Sequence, residues 1–336
     1  MLSRHADACY WIGRCVERAE ATARALDVHY HAALESLLPA SVDDPEDSGA
    51  LSPWKAVLAV TGSAHAFEPR YKLASDRNVL QFFVLDRENS NSIFSIWSAA
   101  RENARTVREM IASEMWECLN VSYLQLQEWT LDRVLDGSPH EFFQSVQNAS
   151  HLFQGVLDRT LLFDETRDWL DVGRFLERGG QTARLLDIKY HQLLPATRSA
   201  DPGSVSPETY GIGGPLDIQG WIAVLRSVSA FEMFRKRHRD GFRPPAIVEF
   251  LVLGPAFPAS IRHCVDRVGQ CLQRISGSAS EEPAGESERL IGRLQADLTY
   301  ARPEEIIIGG LHEFALDVQS RCAQIGSAIT HEYFSY

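Results

Sequence analysis

Residues 13–31, GRCVERAEATARALDVHYH, return 160 positions later as residues 173–191, GRFLERGGQTARLLDIKYH. Of the 19 aligned positions 11 are identical, and most of the charged positions are among them. The apolar positions vary, as packing positions can when their volume is roughly kept. The similarity predicts an internal duplication of a long helix, in which the charged side chains share one task.

On a helix that turns 100° per residue, the charged side chains of this stretch fall on one side. We call this side the polar row: Glu17, Arg24 and His31 follow at seven-residue spacing, with Arg14 and Asp27 beside them and Arg18 at the edge. The second copy repeats it with Arg174, Glu177, Arg178, Arg184, Asp187 and His191.

Three interpretations of the polar row remain open from the sequence. A solvated face would be laced with pairs such as Arg24–Asp27 and Asp27–His31, each contributing only about 0.2–0.5 kcal/mol. Exposed ion pairs contribute so little that many different charged residues would be equally suitable. Because the same charged residues occur in both copies, a defined geometry is favoured. That geometry is either a buried structural network or a site that binds a ligand.

Composition excludes several classes of function. The chain of 336 residues has a net charge of −12, which disfavours binding to nucleic acid or to anionic membrane surfaces. No apolar run reaches the roughly 18–20 residues of a membrane span. The six cysteines lack metal-binding spacing, so we expect reduced structural thiols and a cytoplasmic protein.

Helical periodicity dominates and no alternating strand pattern is sustained, which predicts an all-α fold. We expect two internally repeated helical half-bundles, residues 1–160 and 161–336, packed into one elongated body. Linkers are predicted at about 39–53, 196–217 and 275–287. Helices are predicted over 4–38, 54–67, 77–85, 114–135, 139–160, 165–194 and 303–332, although a buried strand remains an alternative for 77–85.

The first half carries a second charged series, Arg101, Arg105 and Arg108, on one face of a helix. Arginine binds carboxylate and phosphate through a planar fork, so this series and the polar row are candidate anion-binding groups. The alternative is a solvated face paired with nearby glutamates. Glu17 and His31 are candidate proton-transfer groups. Nucleotide-binding loops and HExxH spacing are absent, so no cofactor and no metal are expected, and His312-Glu313 is expected to be a surface pair.

Several motifs resemble the bacterial alpha-E domain family over nearly the whole chain. They are residues 10–14 (YWIGR) with Glu17-Arg18, the segment from Asn89 to Ile93, residues 100–108 (ARENARTVR, with Glu102 and Asn103), Gly173-Arg174 with Glu177-Arg178, and Tyr333-Phe334. One departure is Ser90, where the family commonly has proline. The resemblance implies an all-helical protein that works beside a circularly permuted ATP-grasp protein, a carboxylate–amine ligase.

The leading hypothesis is therefore an accessory partner of an ATP-grasp peptide ligase. Its first-half rows would hold an acidic peptide, an amino acid or part of the partner's active site. One alternative is a stand-alone enzyme, a transferase or ligase acting on a carboxylate- or phosphate-bearing molecule. The other is a non-catalytic helical scaffold, in which the polar rows only specify helix pairing.

Overall fold

The computed structural model describes residues 1–36, 53–193, 215–278 and 283–335. Within these ranges the chain forms helices and no strand, so the all-α prediction is confirmed. The first half comprises α1 Ser3–Ser36, α2 Pro53–Val60, α3 Ala64–Phe67, α4 Asp76–Leu80, α5 Ile93–Thr106, α6 Ser113–Gln127, α7 Leu131–Asp136 and α8 Pro139–Thr160.

The second half presents a similar succession. It comprises α9 Glu165–Leu193, α10 Pro215–Ser227, α11 Phe231–Arg237, α12 Pro244–Val248, α13 Ile261–Ser276, α14 Glu286–Tyr300, α15 Pro303–Gly309 and α16 Leu311–Ile329. Helices α4 and α12 both continue into a wider π turn, Gln81–Leu85 and Glu249–Leu253, and α16 continues into a third, Thr330–Phe334. This order is what an internal repeat predicts, while the duplication itself and the boundary at residue 160 stay predictions.

Local sequence explains where several helices begin. The Ser92 and Ser260 side chains accept hydrogen bonds from the Ser95 and His263 amides, so both cap the helices that follow them. Proline opens α8, α12 and α15, where its missing amide hydrogen has no helical partner to lose.

Some predicted helix boundaries were wrong. The helix expected over 54–67 is divided into α2 and α3, with Gly62 between them at a φ of 64°. The one expected over 114–135 divides before Thr130, whose side chain caps α7, and Gly310 at a φ of 100° divides 303–332. Residues 81–85 are a π turn rather than a strand, and only parts of the predicted linkers lie within the described residues.

The centre of the fold is the pair of motif helices, α1 and α9. Helix α1 packs on α5, α8 and α9, while α9 packs on α13, α16 and α1. Contacts between the pair advance in the same direction along both helices, from Met1–Glu165 to Glu17–Arg178, so they run parallel.

Two glycines allow the motif helices to approach closely. A Cβ added at Gly13 would clash with the Leu170 carbonyl oxygen, and one added at Gly173 would clash with the Tyr10 carbonyl oxygen. Positions 10 and 170 correspond in the two copies, so the contact is reciprocal. Backbone contact at this crossing therefore brings both polar rows together.

One buried apolar cluster extends through both halves, with Trp97, Phe142, Trp169 and Phe234 among its largest side chains. The tail closes on the motif pair, since the Phe334 ring lies 5.4 Å from the Tyr10 ring and 5.1 Å from the Trp169 ring, centre to centre. In the described ranges no helix combines the length and the apolar character that crossing a bilayer requires.

Candidate functional site

The polar rows meet in two reciprocal ion pairs. Glu17 accepts hydrogen bonds from Arg178 Nε and Nη2 at 2.6 and 2.7 Å. Glu177 accepts the equivalent bonds from Arg18 at 2.8 and 2.9 Å. The two glutamates are only 4% and 5% exposed, so each pair is a bidentate, charge-assisted contact inside the protein.

The two pairs differ in their additional partners. Arg14 donates to Glu177 Oε2 at 2.5 Å and to the Tyr10 hydroxyl at 2.5 Å. In the second copy, Leu170 occupies the position that corresponds to Tyr10 and offers no hydroxyl. The counterpart of Arg14, Arg174, donates instead to Gln154 Oε1 at 2.8 Å. Gln154 in turn donates to the glutamate of the first copy, Glu17, at 3.1 Å. Glu177 is thus held by two arginines and the amide of Gln181, and Glu17 by one arginine and the amide of Gln154.

The neighbouring charges favour the ionised forms of Glu177 and Arg178. Burial alone raises the pKa of the Glu177 carboxyl, but the charges of Arg14 and Arg18 outweigh it and hold that pKa well below its usual range. Burial lowers the pKa of Arg178, but the Glu17 carboxylate more than compensates and raises it. Both oxygens of Glu17 are engaged by donors, so a role for Glu17 as general base has little geometric support.

A cleft of about 160 Å³ lies beside the Glu17–Arg178 pair. It is enclosed by α1, α8, α9 and the turn after α10, and its polar lining includes Glu20, Arg24, His151, Gln181, Ser227 and Ser229. Ser229 has a φ of 54° and is the single non-glycine residue with positive φ in the described ranges. Strained backbone of this kind is concentrated at functional sites.

Inside the cleft, Arg24 forms its ion pair with Glu20. The predicted Arg24–Asp27 pair does not form, because Glu20 lies four residues earlier on the same face and Asp27 has other partners. Burial raises the pKa of Glu20, but hydrogen bonding from His151 and the charge of Arg24 lower it to about 2. His151 lies 3.5 Å from Arg24 Nη2 and is half exposed, so it stands at the rim of the cleft.

The second copy lacks this internal pairing. Arg184 corresponds to Arg24, but the position of Glu20 is occupied by Gly180. Arg184 forms no ion pair with a described residue, although Glu177, Arg14 and Arg18 lie near enough to influence it. Burial lowers the pKa of the Arg184 guanidinium, and Arg18 and Arg14 add to that effect. Arg14, Arg18 and Arg184 are thus all influenced by the charge of Glu177.

Farther along α1, Asp27 meets two histidines. His140 Nδ1 lies 2.8 and 3.0 Å from the two oxygens of Asp27, and His31 Nε2 lies 3.5 Å from Oδ1. His140 was not predicted as a site residue. In the second half Asp187 pairs with His312, so the prediction of a His312-Glu313 surface pair was wrong. The side chain of His191 lies outside the described residues.

The family of the chain is shown by a match over almost its whole length. The sequence matches Alpha-E, described as a predicted alpha-helical domain with a conserved ER motif, over residues 1–334. The chain belongs to the Alpha-E family. No curated protein and no solved structure matches the chain. Glu17-Arg18 and Glu177-Arg178 are Glu-Arg dipeptides of the kind that description names, and they are the residues of the reciprocal pairs.

The charged series of residues 101, 105 and 108 does not join the polar rows. Arg101 donates to Asn120 Oδ1 at 2.8 Å and lies over the rings of Trp116 and Tyr123. Arg108 lies over the Trp116 ring as well, whereas Arg105 is exposed and pairs with Glu102, and Asn103 donates to the Ala99 carbonyl. Within the described chain, no hydrogen bond or ion pair joins these residues to α1 or α9. The expectation of one combined first-half site is therefore corrected, because the contacts of this series are confined to α5, α6 and solvent.

Asn89, a candidate for substrate binding, braces a loop. Its side-chain nitrogen, Nδ2, donates to the Phe82 carbonyl at 2.9 Å, and its side-chain oxygen, Oδ1, accepts from the Asn91 backbone amide at 3.0 Å. It is 6% exposed, which leaves no face for a ligand. Asn89 therefore shapes the turn that precedes α5.

Proposed function

We propose that this Alpha-E chain is the substrate-holding partner of an ATP-grasp carboxylate–amine ligase, and that the cleft beside Arg24 holds an acidic amino acid or the end of an acidic peptide. The observation that carries the proposal is a cleft lined by charged groups from both motif helices. Arg24 and His151 offer donors for a carboxylate, while Glu20 offers an acceptor for an ammonium group. A zwitterionic ligand matches both.

The size of the cleft supports a small ligand. Its volume of about 160 Å³ resembles that of a cavity of about 150 Å³ that accommodates benzene. One amino acid or one terminal residue fits such a space, and the rest of a peptide would leave past His151, whose side chain is 57% exposed.

Activation of a carboxylate by ATP is assigned to the partner. The sequence has no phosphate-binding glycine loop of a known type, and Glu17 is already fully bonded. These observations favour a holding role over the stand-alone enzyme. The circularly permuted ATP-grasp partner is an expectation from the family resemblance.

A second candidate, the scaffold, is favoured by the reciprocal Glu-Arg pairs themselves. Each pair joins α1 to α9, so the pairs stabilise and specify the contact between the halves. The scaffold requires nothing of Arg24 or the cleft, and this difference separates the two proposals.

Coexpression of the full chain with a circularly permuted ATP-grasp ligase from the same organism tests the proposal, with L-glutamate and a glutamate-rich peptide as acidic probes. We expect a complex, and we expect Arg24→Gln to lower ligase kcat/KM for the probe at least about tenfold, as loss of a charged hydrogen bond of about 1.5–3 kcal/mol implies. Arg4→Gln, an exposed change on the same helix, is the matched control.

Absence of a complex, together with unaltered ligase activity, would refute the proposal. A complex in which Arg24→Gln behaves like Arg4→Gln would leave the scaffold as the better account.

A further inference from the structure

We propose that Asp27, His31 and His140 form a binding site for a divalent transition metal such as Zn²⁺. The three side chains each offer one ligand atom, and these atoms lie within 4.8 Å of one another. Imidazole nitrogen and carboxylate oxygen are both common zinc donors. The site is separate from the Arg24 cleft and does not depend on the proposed function.

The distances fit a single ion. Zinc bonds to nitrogen and oxygen donors are about 2.0–2.1 Å long, so a tetrahedral site separates its donors by about 3.3 Å. Asp27 Oδ1 lies 2.8 Å from His140 Nδ1 and 3.5 Å from His31 Nε2. The two distances to Asp27 Oδ1 thus lie within about 0.5 Å of the tetrahedral value, and the two histidine nitrogens lie within 4.8 Å of each other.

The helices position these donors without strain on the chain. Asp27 and His31 are four residues apart on α1, so their side chains project from the same face. His140 is the second residue of α8, directly after the proline that opens that helix. Asp27 is 8% exposed and anchors the site, whereas the His31 and His140 side chains are 53% and 46% exposed. An ion can therefore enter from solvent.

Three protein ligands at an exposed position leave a fourth coordination position for water or a ligand. This arrangement is typical of catalytic zinc sites, whereas structural sites use four protein ligands. The nitrogen-rich donor set favours Zn²⁺ over Mg²⁺ or Ca²⁺, which prefer oxygen.

The competing interpretation is a hydrogen-bonded Asp–His pair with His31 nearby by chance. The pairing of Asp187 with His312 shows that such a contact occurs in the second half as well. The sequence there also has a histidine four residues after the aspartate, as in the first half. A simple pair has no need of His31, so the contribution of His31 distinguishes the two interpretations.

Isothermal titration calorimetry of the chelator-treated full chain with Zn²⁺ alone tests the proposal. The absorption spectrum of bound Co²⁺ reports the coordination geometry of the site. We expect saturable binding that weakens by at least about tenfold in both His140→Asn and His31→Asn, since even second-shell changes cost 10–100-fold in affinity. His65→Asn, an exposed histidine on α3, should bind zinc like the wild type. Circular dichroism checks that each variant folds.

Unchanged zinc affinity in His31→Asn and His140→Asn would overturn the proposal. So would an equal loss in His65→Asn, because the zinc would then bind to scattered surface histidines. Binding of a second ion that is lost in His312→Asn, with the first lost in His140→Asn, would support the site and extend it to the second half.

Discussion

Replacing one carboxylate in each reciprocal pair should have unequal effects, although the two sequences around them are so similar. Removing one partner of a buried ion pair costs about 3–5 kcal/mol, since it leaves a charge without compensation. Glu17→Gln removes the ion-pair partner of Arg178, and Gln154 remains hydrogen-bonded to Arg178. We therefore expect a loss of about 3 kcal/mol in the free energy of unfolding.

Glu177→Gln should cost more, because this carboxylate compensates both Arg14 and Arg18. One additional charge-assisted hydrogen bond is lost, which adds about 1.5–3 kcal/mol. Arg184 lies near the same group and gains no partner from the change. The expected loss is therefore about 5 kcal/mol, a large share of the 5–15 kcal/mol that is typical of a folded protein.

Urea unfolding at neutral pH, with the full chain, measures these differences as shifts in midpoint at constant slope. Glu102→Gln is the matched control, because Glu102 also pairs with two arginines but is about half exposed. Its loss should stay below about 1 kcal/mol. If Glu177→Gln cost no more than Glu102→Gln, or less than Glu17→Gln, the assignment of these pairs as the buried link between the halves would be wrong.

Three further changes test other parts of the structure. Gly13→Ala should destabilise the fold by several kcal/mol, measured by urea unfolding, since the methyl group would meet the Leu170 carbonyl; a neutral effect would contradict the close crossing. The pKa of Glu20 is lowered in the folded state, so its carboxylate contributes fully to stability above about pH 4.5 and loses that contribution as the pH falls toward about 2. Glu20→Gln should therefore make the free energy of unfolding decline less steeply across this pH range. Arg184→Met should raise the melting temperature, because a partly buried cation that forms no ion pair with any described residue is replaced by an apolar group; a clear decrease would show that Arg184 makes a stabilising contact.

The sequence identified the charged positions of the motif helices but not their partners. Helical periodicity relates residues three or four apart, so it offered local pairs such as Arg24–Asp27. The decisive contacts, Glu17–Arg178 and Arg18–Glu177, join residues about 160 positions apart. They depend on which helices pack together, and periodicity contains no information on that. Gly13 and Gly173, identical in the two copies, were the available signal for close packing.

Long helices were predicted well and their interruptions poorly. The bounds of α8 and α9 agree within one residue with the expectation, because apolar periodicity continues through each helix. The breaks at Gly62 and Gly310 were missed, since one glycine can be tolerated in a helix and only its positive φ shows that it is not. His140 was missed because a lone histidine has no periodic signature, and its aspartate lies on another helix.

The difference between the halves lies at other positions than the sequence suggested. The sequence offered a second arginine series in the first half as a candidate anion-binding group, yet Arg101 and Arg108 contact α6 and Arg105 is exposed and pairs with Glu102, all outside the polar rows. Within the rows, the consequential difference is Glu20 against Gly180. Glu20 pairs with Arg24, whereas Arg184 pairs with no carboxylate among the described residues. A cation kept in partly buried surroundings without a counter-ion costs desolvation energy. A network that served only to join two helices would gain stability by losing Arg184, so the scaffold alone does not account for this residue.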